Sequence, residues 1–183
     1  DVVVTLDAIT SGDAVLGTAT EATVTILDDD QPAAAITVEA ESIADVTVYR
    51  LQNNANASGG SMLTLGGGAA NEVGTATFTF TGATGNYSVV LGSFDENDGA
   101  PAASLEVSVN GISIGTVVLD QDPGGSGAGM ATKVERLLTE AALSTGDTIT
   151  VTGFESGQEQ ARFDFIRFEP VGAITPTVTL SST

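Results

Sequence analysis

Carboxylates are the chemistry this sequence offers most of. Asp and Glu number 24 against 5 Lys and Arg, for a formal net charge of -19 at pH 7. Many of them fall in groups. Glu39 and Glu41 stand two residues apart, and Asp28, Asp29 and Asp30 form a run. Asp95, Glu96, Asn97 and Asp98 follow Phe94, Asp122 follows Asp120 and Gln121, and Glu155, Gln158 and Gln160 follow Phe154. On a strand, Glu39 and Glu41 share one side, and adjacent carboxylates repel unless a cation sits between them. Asp164 stands in an apolar run (Phe163, Phe165, Ile166, Phe168), where a buried carboxylate needs a partner. A cation is one candidate; Arg162 or Arg167 is the plainer one. Oxygen donors in such excess suit Ca²⁺. The bland reading of each acidic loop is a solvated turn, and surface acid also keeps a protein soluble.

The missing residues exclude as much. The chain has no His, Cys or Trp, so zinc sites of the usual type, His-dependent triads and disulfides drop out. With five basic residues, nucleic acid and anionic membrane surfaces are poor partners. No apolar run is long enough to span a bilayer, so membrane insertion is not expected. A carboxylate pair for glycoside hydrolysis could always be picked, but no motif singles one out, and no enzyme is expected.

The elements that must position these groups read as β. The 183 residues are 42% hydrophobic, enough for a real core. Val and Thr favour strands, and 22 glycines supply turns. Three parts follow. Residues 1–30 read as a hairpin with a wide loop, Val2, Val4 and Leu6 alternating in one strand and Ala22–Leu27 forming the other. Residues 31–170 carry candidate strands at Ile36–Glu41, Thr75–Thr81, Tyr87–Ser93, Leu105–Val109, Thr116–Asp120, Lys133–Leu138, Thr148–Thr152 and Arg162–Glu169. Alternation puts Phe78 and Phe80 on one face, and Leu105, Val107 and Val109 on another. Asn110-Gly111 is a strong hairpin signal. "MATKVERLLTEAAL" also carries helical spacing at Val134, Leu137 and Leu138; a strand over its first half is preferred. Residues 171–183 read as a linker around Pro170 and Pro176, then the possible first strand of a next repeat. The whole is expected to be an all-β jelly-roll sandwich with an extra N-terminal β-hairpin, one slice of a longer chain.

Two resemblances sharpen this. The segment ending in "TVTILDDD" resembles the C-terminal end of a Calx-beta domain, which implies Ca²⁺ ligation by Asp28, Asp29 and Asp30. An acidic linker is the other reading of that run. Residues 33–170 resemble family 6 and family 35 carbohydrate-binding modules. The motifs, in order, are "ITVEAES", "NASGGSML", "NYSVVLGSF", "LEVSVNGISIG", "STGDTITVTG" and "RFDFIRFEP". That resemblance implies a structural Ca²⁺ held by Glu39, Glu41 and Asp164, with a backbone carbonyl near Arg50 or Leu51. It also implies a sugar site in loops at one edge, where relatives use a Tyr and a Trp. Here "TLGGGAANEVG" has no aromatic, and Met130 falls about where the Trp would be. Phe94, Asp95, Glu96, Asn97, Asp98, Asp122, Phe154 and Gln160 are the substitutes, the acidic loop serving through an exposed Ca²⁺. The expected function is a non-catalytic, calcium-stabilised carbohydrate-binding or adhesion module. It would belong to a larger extracellular or cell-surface protein, with polysaccharide or glycan and neighbouring domains or subunits as partners. The alternative is a structural subunit of an extracellular fibre or matrix, assembling by strand complementation.

Overall fold

The computed structural model describes residues 2–5, 21–24, 34–66, 71–96, 102–121, 123–157 and 159–171. The chain divides into two units, Asp1–Gln31 and Pro32–Thr183. In the first, β1 (Val2–Thr5) pairs antiparallel with β2 (Glu21–Val24), Val2 opposite Val24. This is the expected hairpin. Asp28, Asp29 and Asp30 lie outside the described residues, as does the stretch after Val171 read as the opening of another repeat.

The second unit is built from β3 (Ile36–Glu39), β4 (Asp45–Thr47), β5 (Arg50–Asn53), β6 (Ser61–Thr64), β7 (Val73–Thr79), β8 (Gly85–Phe94), β9 (Ser104–Val109), β10 (Ile112–Val118), β11 (Lys133–Leu143), β12 (Thr148–Phe154) and β13 (Arg162–Pro170). One sheet runs β10-β9-β12-β7-β4; the other runs β11-β8-β13-β6-β5, with β3 also on β13. All pairings are antiparallel. The chain passes repeatedly from one sheet to the other, the jelly-roll path. β4, β5 and β6 escaped the sequence reading because they have three or four residues each and little apolar alternation.

The core lies between the sheets. Ala76, Leu105, Val107, Ile149 and Val151 face Leu63, Val89, Leu91, Ile166 and Phe168, all buried. Phe80 and Phe78 meet Phe168 edge to face at 5.1 and 6.3 Å, the arrangement ring quadrupoles favour. The Asn110-Gly111 turn has positive φ at both residues (51° and 81°), as a two-residue hairpin requires.

Residues 133–143 are strand throughout. A bulge between Leu137 and Thr139 explains why their period misleads. Before it the even positions turn inward (Val134, Arg136, Leu138); after it the odd ones do (Ala141, Leu143), while Leu137 is exposed. An extra residue in one strand flips the parity of everything beyond it, and the sum imitates a helical spacing.

Candidate functional site

One bulge and one loop assemble a buried charge site. In β13 the register with β8 shifts between Phe163 and Phe165, so Asp164 is the extra residue. β13 also changes partner here, from β3 at Phe165 to β6 at Phe163. The bulge re-aims Asp164. Its carboxylate is fully buried, yet it accepts the Ser58 N–H at 2.8 Å and faces Lys133 Nζ at 3.0 Å. Lys133 also donates to the Asn56 carbonyl at 3.0 Å, and Ser58 Oγ donates to Glu39 Oε1 at 3.0 Å.

The loop that brings Asn56 and Ser58 is the "NASGG" segment, held from several directions. The Asn54 side chain accepts the Asn56 N–H and donates to the Ala128 carbonyl. Ala57 packs with Met62 and Phe94 in a small apolar cluster against which Ala128 rests. Gly59 leaves room for Glu41, since a Cβ there would overlap Glu41 Oε1.

Glu39 and Glu41 are thus brought to the site, but not as neighbours on one strand. β3 ends at Glu39, and Ala40–Ser42 form a 3₁₀ turn that buries Ala40. Burial pushes the Glu39 carboxyl up; the Ser58 hydroxyl opposes this, Glu41 and Asp164 add to it, and Lys133 opposes it. Glu39 Oε2, Glu41 Oε2 and Asp164 Oδ2 are buried without a hydrogen-bond partner, Asp164 Oδ2 having only its ion pair with Lys133.

The partner of Asp164 is therefore Lys133, not Arg162 or Arg167. Arg162 pairs with Glu96, and Arg167 pairs with Glu135 and Glu169 while lying over the Phe165 ring. The sequence reading missed Lys133 and Ser58. The signal that was there is scarcity: five cations in a chain of net charge -19 each have a carboxylate to meet.

Ca²⁺ was the expected occupant of this donor set. Ca²⁺ takes six to eight oxygens at about 2.3–2.6 Å. Among the described residues, no three acidic side chains converge closely enough to hold a metal ion, and an ammonium already sits on Asp164 Oδ2. The residues as arranged do not fit the ion.

The acidic loop after Phe94 also departs from expectation. Phe94 is fully buried, so its ring presents no face to a ligand. Asp95 and Glu96 are buried too, paired with Arg136 and Arg162. Beside them, Glu159 accepts the Ala103 and Glu96 N–H groups at 2.7 and 3.4 Å. Guanidinium partners replace the exposed ion these carboxylates were expected to hold. Asn97, Asp98, Asp122 and Gln158 lie outside the described residues. Gln160 is half-buried; its side-chain carbonyl accepts the Thr64 hydroxyl at 2.9 Å.

Phe154 remains at the surface, 36% exposed, with Val73 opposite it on β7. Both stand at one end of the outer face of the five-stranded sheet. Inward positions of β7 and β12 hold Gly74, Ala76, Ile149, Val151 and Gly153; outward positions hold Thr75, Thr77, Thr79, Thr148, Thr150 and Thr152. Thr77 and Thr150 hydroxyls meet at 3.2 Å, and Thr47 on β4 meets Thr75 at 2.7 Å. The face is mostly hydroxyl groups, with Asp45 opposite Thr77 and Glu106 opposite Thr152, and an aromatic ring at its end. Met130 is 71% exposed in the glycine-rich loop before β11.

No family model and no curated protein matches the chain. Solved structures do. A family 35 carbohydrate-binding module from Clostridium thermocellum has a TM-score of 0.54 at 15% identity, covering 75% of this chain and 99% of that one. The C-terminal family 6 module of LamC, a marine laminarinase from Zobellia galactanivorans, scores 0.52 at 15% identity, over 74% and 99%. The fold is that of family 6 and family 35 carbohydrate-binding modules. The insecticidal crystal protein Cry2Aa carries the same fold, with a TM-score of 0.55 at 17% identity over 74% of this chain and 21% of that one. A fold that serves proteins so different does not assign a role.

Proposed function

We propose that the Pro32–Thr183 unit is a non-catalytic carbohydrate-binding module. Its ligand is a neutral polysaccharide, held on the outer face of the five-stranded sheet. The observation that carries this is the threonine face ending in Phe154. Hydroxyl groups exchange hydrogen bonds with sugar hydroxyls in either direction, and an exposed ring covers the apolar face of a pyranose. The fold neighbours named as carbohydrate-binding modules support the reading.

Charge selects the class of glycan. All five basic side chains are engaged with carboxylates: Arg50 with Glu72, Lys133 with Asp164, Arg136 with Asp95, Arg162 with Glu96, and Arg167 with Glu135 and Glu169. A net charge of -19 then repels uronates and sulfated chains. Such a module suits attachment of a secreted or cell-surface multidomain protein to a glycan.

A polysaccharide array with neutral and anionic members tests this. Binding should fall on neutral glycans, and Phe154→Ala should weaken it about tenfold with an unchanged melting temperature. Binding confined to anionic glycans, or none from a folded protein, overturns the proposal. One observation favours a second reading, a subunit assembling by strand complementation. Among the described residues, β1 and β2 form a sheet of two strands with both edges unpaired, and such hairpins are marginal alone. Concentration-dependent filaments without glycan binding would favour it.

A further inference from the structure

Lys133 is held in place with more constraint than a surface lysine. It opens β11 opposite Phe94, directly after a turn fixed by Thr132, whose hydroxyl donates to the Gly127 carbonyl at 2.8 Å and accepts the Gly129 N–H at 3.0 Å. Its side chain is 21% exposed. The ammonium ends between Asp164 Oδ2 and the Asn56 carbonyl. It is close enough to Glu39 to draw that carboxyl down against the pull of burial.

We infer that Lys133 is the resident cation of the Glu39–Glu41–Asp164 cage, and that the domain folds without a divalent metal. The two cations exclude each other. Lys133 Nζ lies on the Asp164 oxygen that a divalent ion would need. An ion on that oxygen would stand within a few ångströms of the ammonium, in a partly buried setting where like charges repel strongly. The cage therefore takes one cation or the other. The tether also makes the lysine's effective concentration independent of the medium, so stability here does not vary with external calcium.

Removing the ammonium should open Asp164 to an added metal ion. Asp164 would then be buried without a counter-charge and Glu39 would still feel both Glu41 and Asp164, a repulsion that an ion drawing the carboxylates together relieves. The test is thermal unfolding of the full chain in calcium chloride and in chelator, with terbium luminescence as a direct probe of ion entry. The wild type should melt at the same temperature in both. Lys133→Met should melt roughly 5–15 °C lower in chelator, and calcium should return part of the loss. If Lys133→Met does not fold in chelator, folding restored by calcium supports the inference equally. The double variant Lys133→Met/Asp164→Asn removes both partners and should fold in chelator with a smaller loss. The inference is overturned if calcium raises the wild-type melting temperature and Asp164→Asn abolishes that rise, or if Lys133→Met is as stable as wild type in chelator.

Discussion

Two buried charge clusters grow from the ends of the same strands, and they are built on different principles. At the loop end, Asp95 faces Arg136, Glu96 faces Arg162, and Glu159 takes two backbone N–H groups. Carboxylate and guanidinium are matched nearly one to one. In the cage, one ammonium pairs with Asp164 alone of three neighbouring carboxylates, and Glu39 Oε2 and Glu41 Oε2 have no hydrogen-bond partner, while Asp164 Oδ2 has only that ion pair. The matched cluster behaves as a fastener between loops: Arg planarity and multiple donors suit fixed pairing. The cage holds surplus negative charge and is the place where a change of cation has consequences. Acidic composition alone does not distinguish the two; the identity and reach of the counter-ion do.

The largest effect is expected at Arg162. Burial lowers its guanidinium to about 10, a sign of how much solvation it gives up. Arg162→Met should cost about 3–5 kcal/mol, because Glu96 is left buried without its charge partner. Urea unfolding measures this, and adding Glu96→Gln should recover a substantial part. A cost for Arg162→Met near that of an exposed pair would mean that the loop end is not fastened by charge.

A smaller effect is expected at Gly59. The Cβ of Gly59→Ala would displace the Glu41 carboxylate, which lies at the end of a flexible side chain. A flexible end can swing aside at little cost, so the loss should stay below about 1 kcal/mol. A larger loss in the urea midpoint would make Glu41 a required member of the cage rather than surplus charge.

The smallest effect is a gain. The Glu39 carboxyl is raised by burial, with Glu41 and Asp164 adding to it, so the folded state binds its proton more tightly than the unfolded state does. Its contribution to stability is full at low pH and is lost as pH rises through the raised value. Stability should therefore increase as pH falls from neutral toward the carboxylate range, and Glu39→Gln should flatten that slope and slightly stabilise the protein at neutral pH. Melting temperatures of both proteins across that window decide it. Equal slopes would remove Glu39 from the account.

The β architecture was legible in the amino-acid sequence. β-branched alternation at Thr75–Thr79 and Leu105–Val109, the Asn-Gly turn and the frequent glycines leave few other folds open, because period-2 burial and turn chemistry are local properties. The sequence also located Glu39, Glu41, Asp164 and Phe154 as residues of interest, since carboxylates next to one another or inside apolar runs are conspicuous in one dimension. Which cation meets which carboxylate was decided only by the tertiary structure. Lys133 lies 31 residues before Asp164 and 77 after Asn56, and the bulge at Asp164 sets its aim. Phe94 reads the same in sequence as Phe154, yet one is sealed under the Ala57 loop and the other is exposed. Local pattern assigns a residue to a face of its strand; what covers that face depends on loops from distant parts of the chain, and pairing of buried charges depends on distances that only the folded packing fixes.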